Sequence, residues 1–245
     1  TTPWQVTAGH AGMGANFVMG LVSFNGELYS ATAGGGTFKY NGNTWQPFGD
    51  LAPYGGLNVN FLRLIGDTLW CGAGGNGFLF HAVTGATGWT PVQVDMVTGP
   101  SIDLTDIIAV DGGLLAASTM GLYRSLDQGA SWTPIGGPAA VVKLTRWNDE
   151  LIASRTSAIT RWYRSTDNGL NWAQFSITPL SFAQVVHNGR LYAGRLDGLW
   201  YIEEPGTGME ERTDHPFLLY PNPASEVVHL RSPLEGPVNY TIHDM

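Results

Sequence analysis

Tryptophan recurs along this chain at intervals of 40 to 44 residues. The regularly spaced residues are Trp4, Trp45, Trp89, Trp132 and Trp172. From Trp45 onward, each is preceded by three short apolar segments in the same order, and a tight turn separates the first two segments. Self-similarity with a period of this length is typical of architectures that repeat one supersecondary unit. The repeat therefore limits the fold to an array of similar units.

Each unit has the pattern of four short β-strands. The turn between the first two strands contains Asn25-Gly26, Asp111-Gly112 or Asn188-Gly189, which are pairs that favour β-hairpins. Four strands in about 40–45 residues are typical of a β-propeller blade. The sequence therefore predicts an all-β, five-bladed β-propeller of four-stranded blades over residues 1–202.

The fifth copy of the unit ends without its tryptophan strand. We expect the N-terminal strand around Trp4 to complete this blade and close the ring, because Trp4-Gln-Val resembles Trp45-Gln-Pro. Closure of this kind removes the free sheet edges that promote aggregation. An open array taken from a larger propeller is the alternative.

Composition excludes several classes of function. The net charge is −8, and the Lys and Arg residues are scattered, which is unlike the basic stripes of nucleic-acid-binding proteins. The lone Cys71 excludes an internal disulfide, and we expect it to pack as a small apolar side chain. The histidines are isolated, so the sequence predicts neither a metal site nor a cofactor. No run is long enough to span a membrane, and the start at Thr1 suits a processed or trimmed protein.

An octapeptide, S-x-D-x-G-x-x-W, occurs twice. Its residues are Ser125, Asp127, Gly129 and Trp132 in one copy, and Ser165, Asp167, Gly169 and Trp172 in the other. The chemistry suits a turn, since aspartate accepts hydrogen bonds from backbone amides and glycine adopts positive φ. The octapeptide resembles the Asp-box, or BNR repeat, of sialidase-like propellers. That resemblance implies a hairpin between the third and outermost strands, with both aspartates in structural roles.

Strand order divides the predicted propeller into two faces. The lower face carries the turns between first and second strands and the octapeptide turns. The upper face carries the loops between second and third strands and the connections between blades. Because long loops on a rigid scaffold often carry function, the upper face supplies the predicted ligand-binding residues. They are His10, Asn16, Tyr54, Asn58, Asn60, Asp103, Asp106, Arg155, Arg195 and Asp197.

Catalytic residues of the sialidase type are missing from the sequence. An early Arg-Ile-Pro motif is absent, and the first arginine is Arg63. Before residue 200 the glutamates are Glu27 and Glu150, both in turns of the lower face, where neither can activate an upper-face tyrosine. A non-enzymatic protein is the favoured interpretation. A hydrolase that uses Asp103 and Asp106 is an alternative.

The composition changes near residue 203. Residues 203–216 have the polar, acidic, Pro- and Gly-bearing pattern of a linker. Residues 217–245 contain Tyr220, Pro221, Asn222, Pro223 and Ala224, followed by alternating segments typical of strands. They resemble the start of the C-terminal sorting domain of proteins exported by the type IX secretion system of Bacteroidetes-type bacteria. That domain usually continues for several further strands, so the resemblance covers only part of it.

Together these features predict a secreted or cell-surface propeller that acts as a binding module for a glycan or a surface partner. The resemblance of the tail implies that it is cargo of the type IX translocon. A structural component of a surface or secretion complex is the first alternative, and a glycoside hydrolase-like enzyme is the second.

Overall fold

A computed structural model shows five antiparallel sheets of three or four strands that follow one another along the chain, and a two-stranded sheet in the tail. The structure describes residues 13, 17–95, 102–156, 159–179, 181–195, 197–203, 218–220 and 229–231. Among these, no helix is long and apolar enough to cross a membrane. A single turn of 3₁₀ helix, Ala52–Tyr54, follows the first sheet.

The strands fall into the sheets in chain order. The first sheet contains β1 (Val18–Phe24), β2 (Glu27–Thr32), β3 (Gly36–Tyr40) and β4 (Trp45–Pro47). The second contains β5 (Val59–Ile65), β6 (Thr68–Ala73), β7 (Phe78–Val83) and β8 (Thr90–Gln93). The third contains β9 (Leu104–Val110), β10 (Gly113–Ser118), β11 (Leu122–Ser125) and β12 (Thr133–Ile135). The fourth contains β13 (Val141–Trp147), β14 (Glu150–Thr156), β15 (Ile159–Ser165) and β16 (Ala173–Pro179). The fifth contains β17 (Ser181–His187), β18 (Arg190–Arg195) and β19 (Gly198–Glu203).

Two of the three predicted hairpin turns have the expected backbone angles, whereas in the third Gly112 has a positive φ and Asp111 does not. Asn25 and Gly26 have φ values of 53° and 77°, and Asn188 and Gly189 have values of 49° and 74°. Positive φ at both central residues is the geometry of the two-residue turn that matches strand twist. These turns join the first strand of a sheet to the second and so lie on the lower face.

Apolar residues of successive sheets pack face to face. Tyr29 and Ala31 of the first sheet pack against Leu69 and Cys71 of the second, and similar clusters join each later sheet to the next. The first strands β1, β5, β9, β13 and β17 contact one another in that order. This arrangement confirms the five-bladed, all-β propeller predicted from the repeat.

Closure of the ring depends on residues that the structure does not describe. The predicted N-terminal strand falls within residues 1–12, so its pairing with the fifth sheet stays a prediction.

Cys71 is buried on β6, as expected for a packing residue, and burial raises the pKa of its thiol well above the ordinary value. In the tail, β20 (Leu218–Tyr220) pairs with β21 (His229–Arg231). Residues 221–224 of the sorting motif lie outside the described residues.

Candidate functional site

The octapeptide turns on the lower face are held by their own side chains. The Ser125 hydroxyl accepts a hydrogen bond from the Gly129 amide at 2.7 Å, and Asp127 Oδ1 accepts one from the Ser131 amide at 2.8 Å. The indole of Trp132 donates to the Gly129 carbonyl at 3.1 Å. These bonds use the polar groups of the turn to fix its shape.

The second octapeptide repeats the same geometry. The Ser165 hydroxyl accepts from the Gly169 amide at 2.8 Å, and Trp172 donates to the Gly169 carbonyl at 2.9 Å. Hydrogen bonds from Ser131 lower the pKa of Asp127 to about 2, and those from Asn171 lower the pKa of Asp167 to about 2. Both aspartates therefore act on the turn that contains them.

On the upper face, the structure brings Asn58 and Asp103 together around Gly74. A Cβ atom at Gly74 would lie 3.1 Å from Asp103 Oδ1 and 3.6 Å from Asn58 Cβ. Asp103 Oδ1 accepts a hydrogen bond from the Gly75 amide at 2.6 Å. Asn58 is exposed and forms a β-bridge with Ala33. This cluster joins the upper ends of the first three sheets and leaves Asn58 accessible.

Two other predicted residues in this region have side chains that contact the protein instead of pointing into solvent. The Tyr54 ring contacts the rings of Phe78 and Phe80 at centroid distances of 5.1 and 5.4 Å. Asn60 donates from its side chain to the Leu104 carbonyl at 2.9 Å and so joins β5 to β9. Their side chains contribute mainly to contacts between blades.

Asp106 lies inside the molecule and is not an accessible ligand residue. Its side chain is completely buried on β9. Its carboxylate accepts hydrogen bonds from Arg63 Nε at 3.1 Å, from Arg63 Nη2 at 2.5 Å and from the Leu144 amide at 2.8 Å. Lys143 Nζ lies 3.7 Å from the same carboxylate. Asp106 therefore joins the second, third and fourth sheets, because a buried carboxylate requires partners for its charge.

At the opposite side of the upper face, Arg195, Asp197 and Trp200 form a cluster. Arg195 Nη2 donates to Asp197 Oδ2 at 2.7 Å, and the guanidinium carbon lies 4.4 Å from the centre of the Trp200 ring. The Arg195 side chain is 9% exposed, whereas that of Asp197 is 54% exposed. The cluster thus combines a buried cation with an accessible carboxylate.

A cavity of about 80 Å³ lies beside this cluster, between the fourth and fifth sheets. Its walls are mostly apolar. They are formed by Trp162, Thr178, Leu191, Ala193, Arg195, Trp200, Tyr201 and Ile202. The cavity is smaller than the roughly 300–1,000 Å³ of ordinary ligand sites, and it lies in the groove between blades where the predicted N-terminal strand would place Trp4. The Arg195 cluster beside the cavity is therefore the candidate functional site.

Sequence reasoning found some of these residues and missed others. It identified Arg195 and Asp197 from their place in an upper-face loop. It missed Trp162 and Trp200, since an aromatic residue within a strand gives no signal that it borders a cavity. It also did not select Tyr123, whose hydroxyl donates to Asp95 Oδ2 at 2.5 Å. Burial, together with Asp95, raises the pKa of Tyr123 to about 12.

Three predicted ligand-binding residues are not part of the Arg195 cluster or of the Asn58 region. Arg155 lies at the upper end of β14, and its buried Nε has no hydrogen-bond partner among the described residues. His10 and Asn16 lie outside the described residues. Within the described part of the chain, no group of three His, Cys, Asp or Glu side chains is arranged to hold a metal ion.

Comparison with known proteins supports the fold. No protein-family model matches the chain, and no curated protein matches it. Among solved structures, the extracellular domain of BT4673 from B. thetaiotaomicron matches 75% of this chain and 26% of its own, with 19% identity and a TM-score of 0.56. PorZ, a surface component of the type IX secretion system of Porphyromonas gingivalis, matches 77% of this chain and 26% of its own, with 15% identity and a TM-score of 0.53.

A GH74 xyloglucanase from Xanthomonas campestris is similar in the same way. It matches 81% of this chain and 38% of its own, with 18% identity and a TM-score of 0.57. The chain thus spans about a quarter of the length of the two Bacteroidetes proteins. At identities this low, the similarity supports a shared fold and nothing about function. The chain is similar in fold to parts of larger extracellular and enzymatic proteins.

Proposed function

We propose that this protein is a non-catalytic binding module whose ligand, a glycan or a surface partner, binds at the upper face beside the fifth sheet. The observation that carries the proposal is the Arg195 cluster. There a buried guanidinium is fixed by Asp197 and Trp200, and the Asp197 carboxylate beside it is accessible. A polar group fixed in this way is typical of sites that orient a ligand.

The positions of the carboxylates support binding over catalysis. Asp103 and Asp106 are the pair that a hydrolase would use. Asp106 is buried against Arg63, and Asp103 is bonded to the Gly75 amide. On the lower face, Glu27 pairs with Lys39 at 2.7 Å. These carboxylates therefore have roles in holding sheets and turns together.

We propose further that the protein is exported as cargo of a type IX secretion system and works outside the cell or on its surface. The Tyr220 to Ala224 segment is the main support. Likeness in fold to the extracellular domain of BT4673 and to PorZ, a bacterial surface component, is consistent with this destination. The test is the export of the full chain by a Bacteroidetes strain with and without that system. Retention in the cell in both strains would contradict the export proposal.

A role in assembly is a second candidate, and one observation favours it. On the face of the fifth sheet that points away from the fourth, Val185 and Leu199 are 58% and 66% exposed. Apolar side chains grouped on a sheet face often mark a contact surface. This face would suit a protein partner rather than a small ligand.

A glycan array probed with the full chain tests the binding proposal. We expect a restricted set of glycans to bind and Trp200→Ala to reduce the signal. Asp127→Asn, which changes the lower face, is the matched control and should leave the signal unchanged. Binding that is lost in the Asp127 variant while the fold persists would assign the site to the wrong face.

A further inference from the structure

Five Asn-Gly pairs occur in this chain, and they differ in how the fold holds them. They are Asn25-Gly26, Asn41-Gly42, Asn76-Gly77, Asn168-Gly169 and Asn188-Gly189. An asparagine followed by glycine loses its side-chain amide more readily than other asparagines do, because glycine has no side chain to shield the backbone nitrogen. Since glycine follows the asparagine in all five pairs, differences in reactivity among them should come mainly from the structure around each pair.

Deamidation is an attack of the backbone on the side chain. The glycine nitrogen, after giving up its proton to water, forms a bond to Cγ of the asparagine. Nδ2 leaves as ammonia and takes up a proton in place of the one that the glycine nitrogen lost. One water molecule then opens the succinimide ring at either carbonyl, which yields aspartate or isoaspartate. Both the asparagine amide and the glycine N–H must therefore be free to move.

Asn168-Gly169, in the second octapeptide, is held at both of these groups. Asn168 Nδ2 donates to the Asp111 carbonyl at 2.9 Å, and Asn168 Oδ1 accepts from the Asp111 amide at 3.0 Å. The Gly169 amide donates to the Ser165 hydroxyl at 2.8 Å. These three bonds join the third sheet to the fourth, and all of them must open before the ring can form.

Asn76-Gly77, on the upper face, is held in the same way. Asn76 Nδ2 donates to the Tyr54 carbonyl at 3.0 Å. The Gly77 amide donates to the Ile102 carbonyl at 3.0 Å. Both reacting groups are again occupied, although the Asn76 side chain is exposed.

Two other pairs are held at the side chain. Asn25 Nδ2 donates to the Thr84 hydroxyl at 2.9 Å and so joins the first sheet to the second. Asn41 Oδ1 accepts from the Asn43 amide at 3.0 Å and from the Thr44 amide at 2.8 Å. A side chain fixed in this way must leave its partner before its Cγ atom can meet the glycine nitrogen.

Asn188-Gly189 is held at neither group. Both residues are exposed in the turn between β17 and β18. Within the described part of the chain, no hydrogen bond engages the Asn188 side chain or the Gly189 amide. A Cβ atom at Gly189 would have no atom within 4 Å, so the surroundings leave space for a ring to form.

We infer that Asn188 is a site of spontaneous deamidation in the folded protein, and that hydrogen bonds protect the other four Asn-Gly pairs. Asn188 and Gly189 have φ values of 49° and 74°, which suit a two-residue hairpin turn. Isoaspartate lengthens the backbone by one methylene and cannot keep that turn. The Gly189 carbonyl accepts a hydrogen bond from the Trp147 indole at 2.9 Å, so the modification also weakens a contact between the fourth and fifth sheets.

Peptide mapping by mass spectrometry, on the full chain incubated at mildly alkaline pH, measures the deamidated fraction at each pair. Asn188 should react at least about tenfold faster than Asn168, because each hydrogen bond that must open first reduces the reactive fraction. Incubation in urea is the control, since all five pairs should then react at similar rates. A rate at Asn188 no higher than that at Asn168 in the folded chain would overturn the inference. A difference of the same size in urea would also overturn it, because the neighbouring sequence would then be the cause.

Thr84→Val tests whether hydrogen bonding sets the rate. Valine keeps the shape of the side chain but removes the hydroxyl that accepts from Asn25, so deamidation at Asn25 should rise toward the rate at Asn188. Asn188→Gln is the matched variant, because its longer side chain disfavours the ring; it should abolish the reaction at residue 188 and leave Asn25 unchanged. If Asn25 in the Thr84 variant reacts as slowly as in the unchanged chain, the inference is wrong.

Thermal denaturation of fresh and aged protein tests the effect on the turn. The aged chain should have a lower Tm than the fresh chain, whereas the Asn188→Gln variant should keep its own Tm on ageing. An unchanged Tm in protein that is fully converted at residue 188 would contradict the weakened contact between the fourth and fifth sheets.

Discussion

The aspartates of the octapeptide turns stabilise the backbone of the turns that contain them. Asp127 and Asp167 are exposed acids, yet each accepts the backbone amide four residues further on at 2.8 Å. Hydrogen bonds to a carboxylate favour its charged form and lower its pKa. The sequence was sufficient to predict this role, because all partners lie within the same eight residues.

The lowered pKa values predict a loss of stability in acid. Both aspartates have a pKa of about 2, below the ordinary value of 3.8. Their contribution is present above the unfolded pKa and is lost as the pH falls from about 4 to about 2. Urea unfolding midpoints at pH 5, 3 and 2 measure this loss. The double variant Asp127→Asn, Asp167→Asn should have a flatter dependence over that range, and an unchanged slope would contradict the assignment.

Gly129 offers a second test at the residue scale. Its φ is +95°, and a Cβ atom there would lie 2.4 Å from Trp70. Gly129→Ala should therefore lower the free energy of unfolding by more than the roughly 1–2 kcal/mol that left-handed backbone costs. Gly112→Ala is the matched control, because Gly112 has a φ of +77° and no atom within 4 Å of its Cβ position. Equal losses in the two variants would show that the contact with Trp70 is unimportant.

At the scale of strands, the inner strands are joined by polar bonds as well as by apolar packing. Arg63 of β5 reaches Asp106 of β9 and also donates to the Leu144 carbonyl of β13 at 3.0 Å. Gln184 of β17 donates to Thr145 of β13 at 2.7 Å. These bonds fix the order and spacing of blades at the centre of the molecule. A sequence pattern does not reveal them, because the partners lie far apart in the chain.

Asp106→Ala should be strongly destabilising. It would leave Arg63 without its carboxylate partner and the Leu144 amide without its acceptor. Breaking a buried ion pair typically costs about 3–5 kcal/mol, and the loss here should be at the low end because the Arg63 side chain is 30% exposed. Chemical denaturation followed by tryptophan fluorescence measures the loss. Asp106→Asn should lose less, since it keeps an acceptor for Arg63. A loss no greater than that of Asp103→Asn would show that the buried pair contributes little.

At the scale of the whole molecule, the outer-strand tryptophans connect neighbouring blades. Trp89, Trp132 and Trp172 each pack in the cluster between their own sheet and the preceding one. Only three strands of the fifth sheet lie in the described part of the chain. A fourth strand with its tryptophan is therefore expected from the pattern of the other blades.

Trp4→Ala tests whether the N-terminal strand supplies that tryptophan. If it does, the variant should lower the Tm in the same way as Trp172→Ala, because both remove an aromatic group from a groove between blades. Thr2→Ala provides a control next to the predicted strand. An unchanged Tm for Trp4→Ala, with a clear loss for Trp172→Ala, would favour the open-array alternative over closure.

The amino-acid sequence by itself determined the architecture of this protein and the roles of its turns. The tryptophan period, the Asn-Gly pairs and the octapeptides act over short distances, so their chemistry can be interpreted from neighbouring residues. Tertiary structure alone decided which upper-face residues are available. It buried Asp106 against Arg63, which is 43 residues away, and placed Arg195 in the wall of a cavity with Trp162 of the preceding blade. Burial and pairing across blades depend on how sheets pack, and no local pattern encodes that packing.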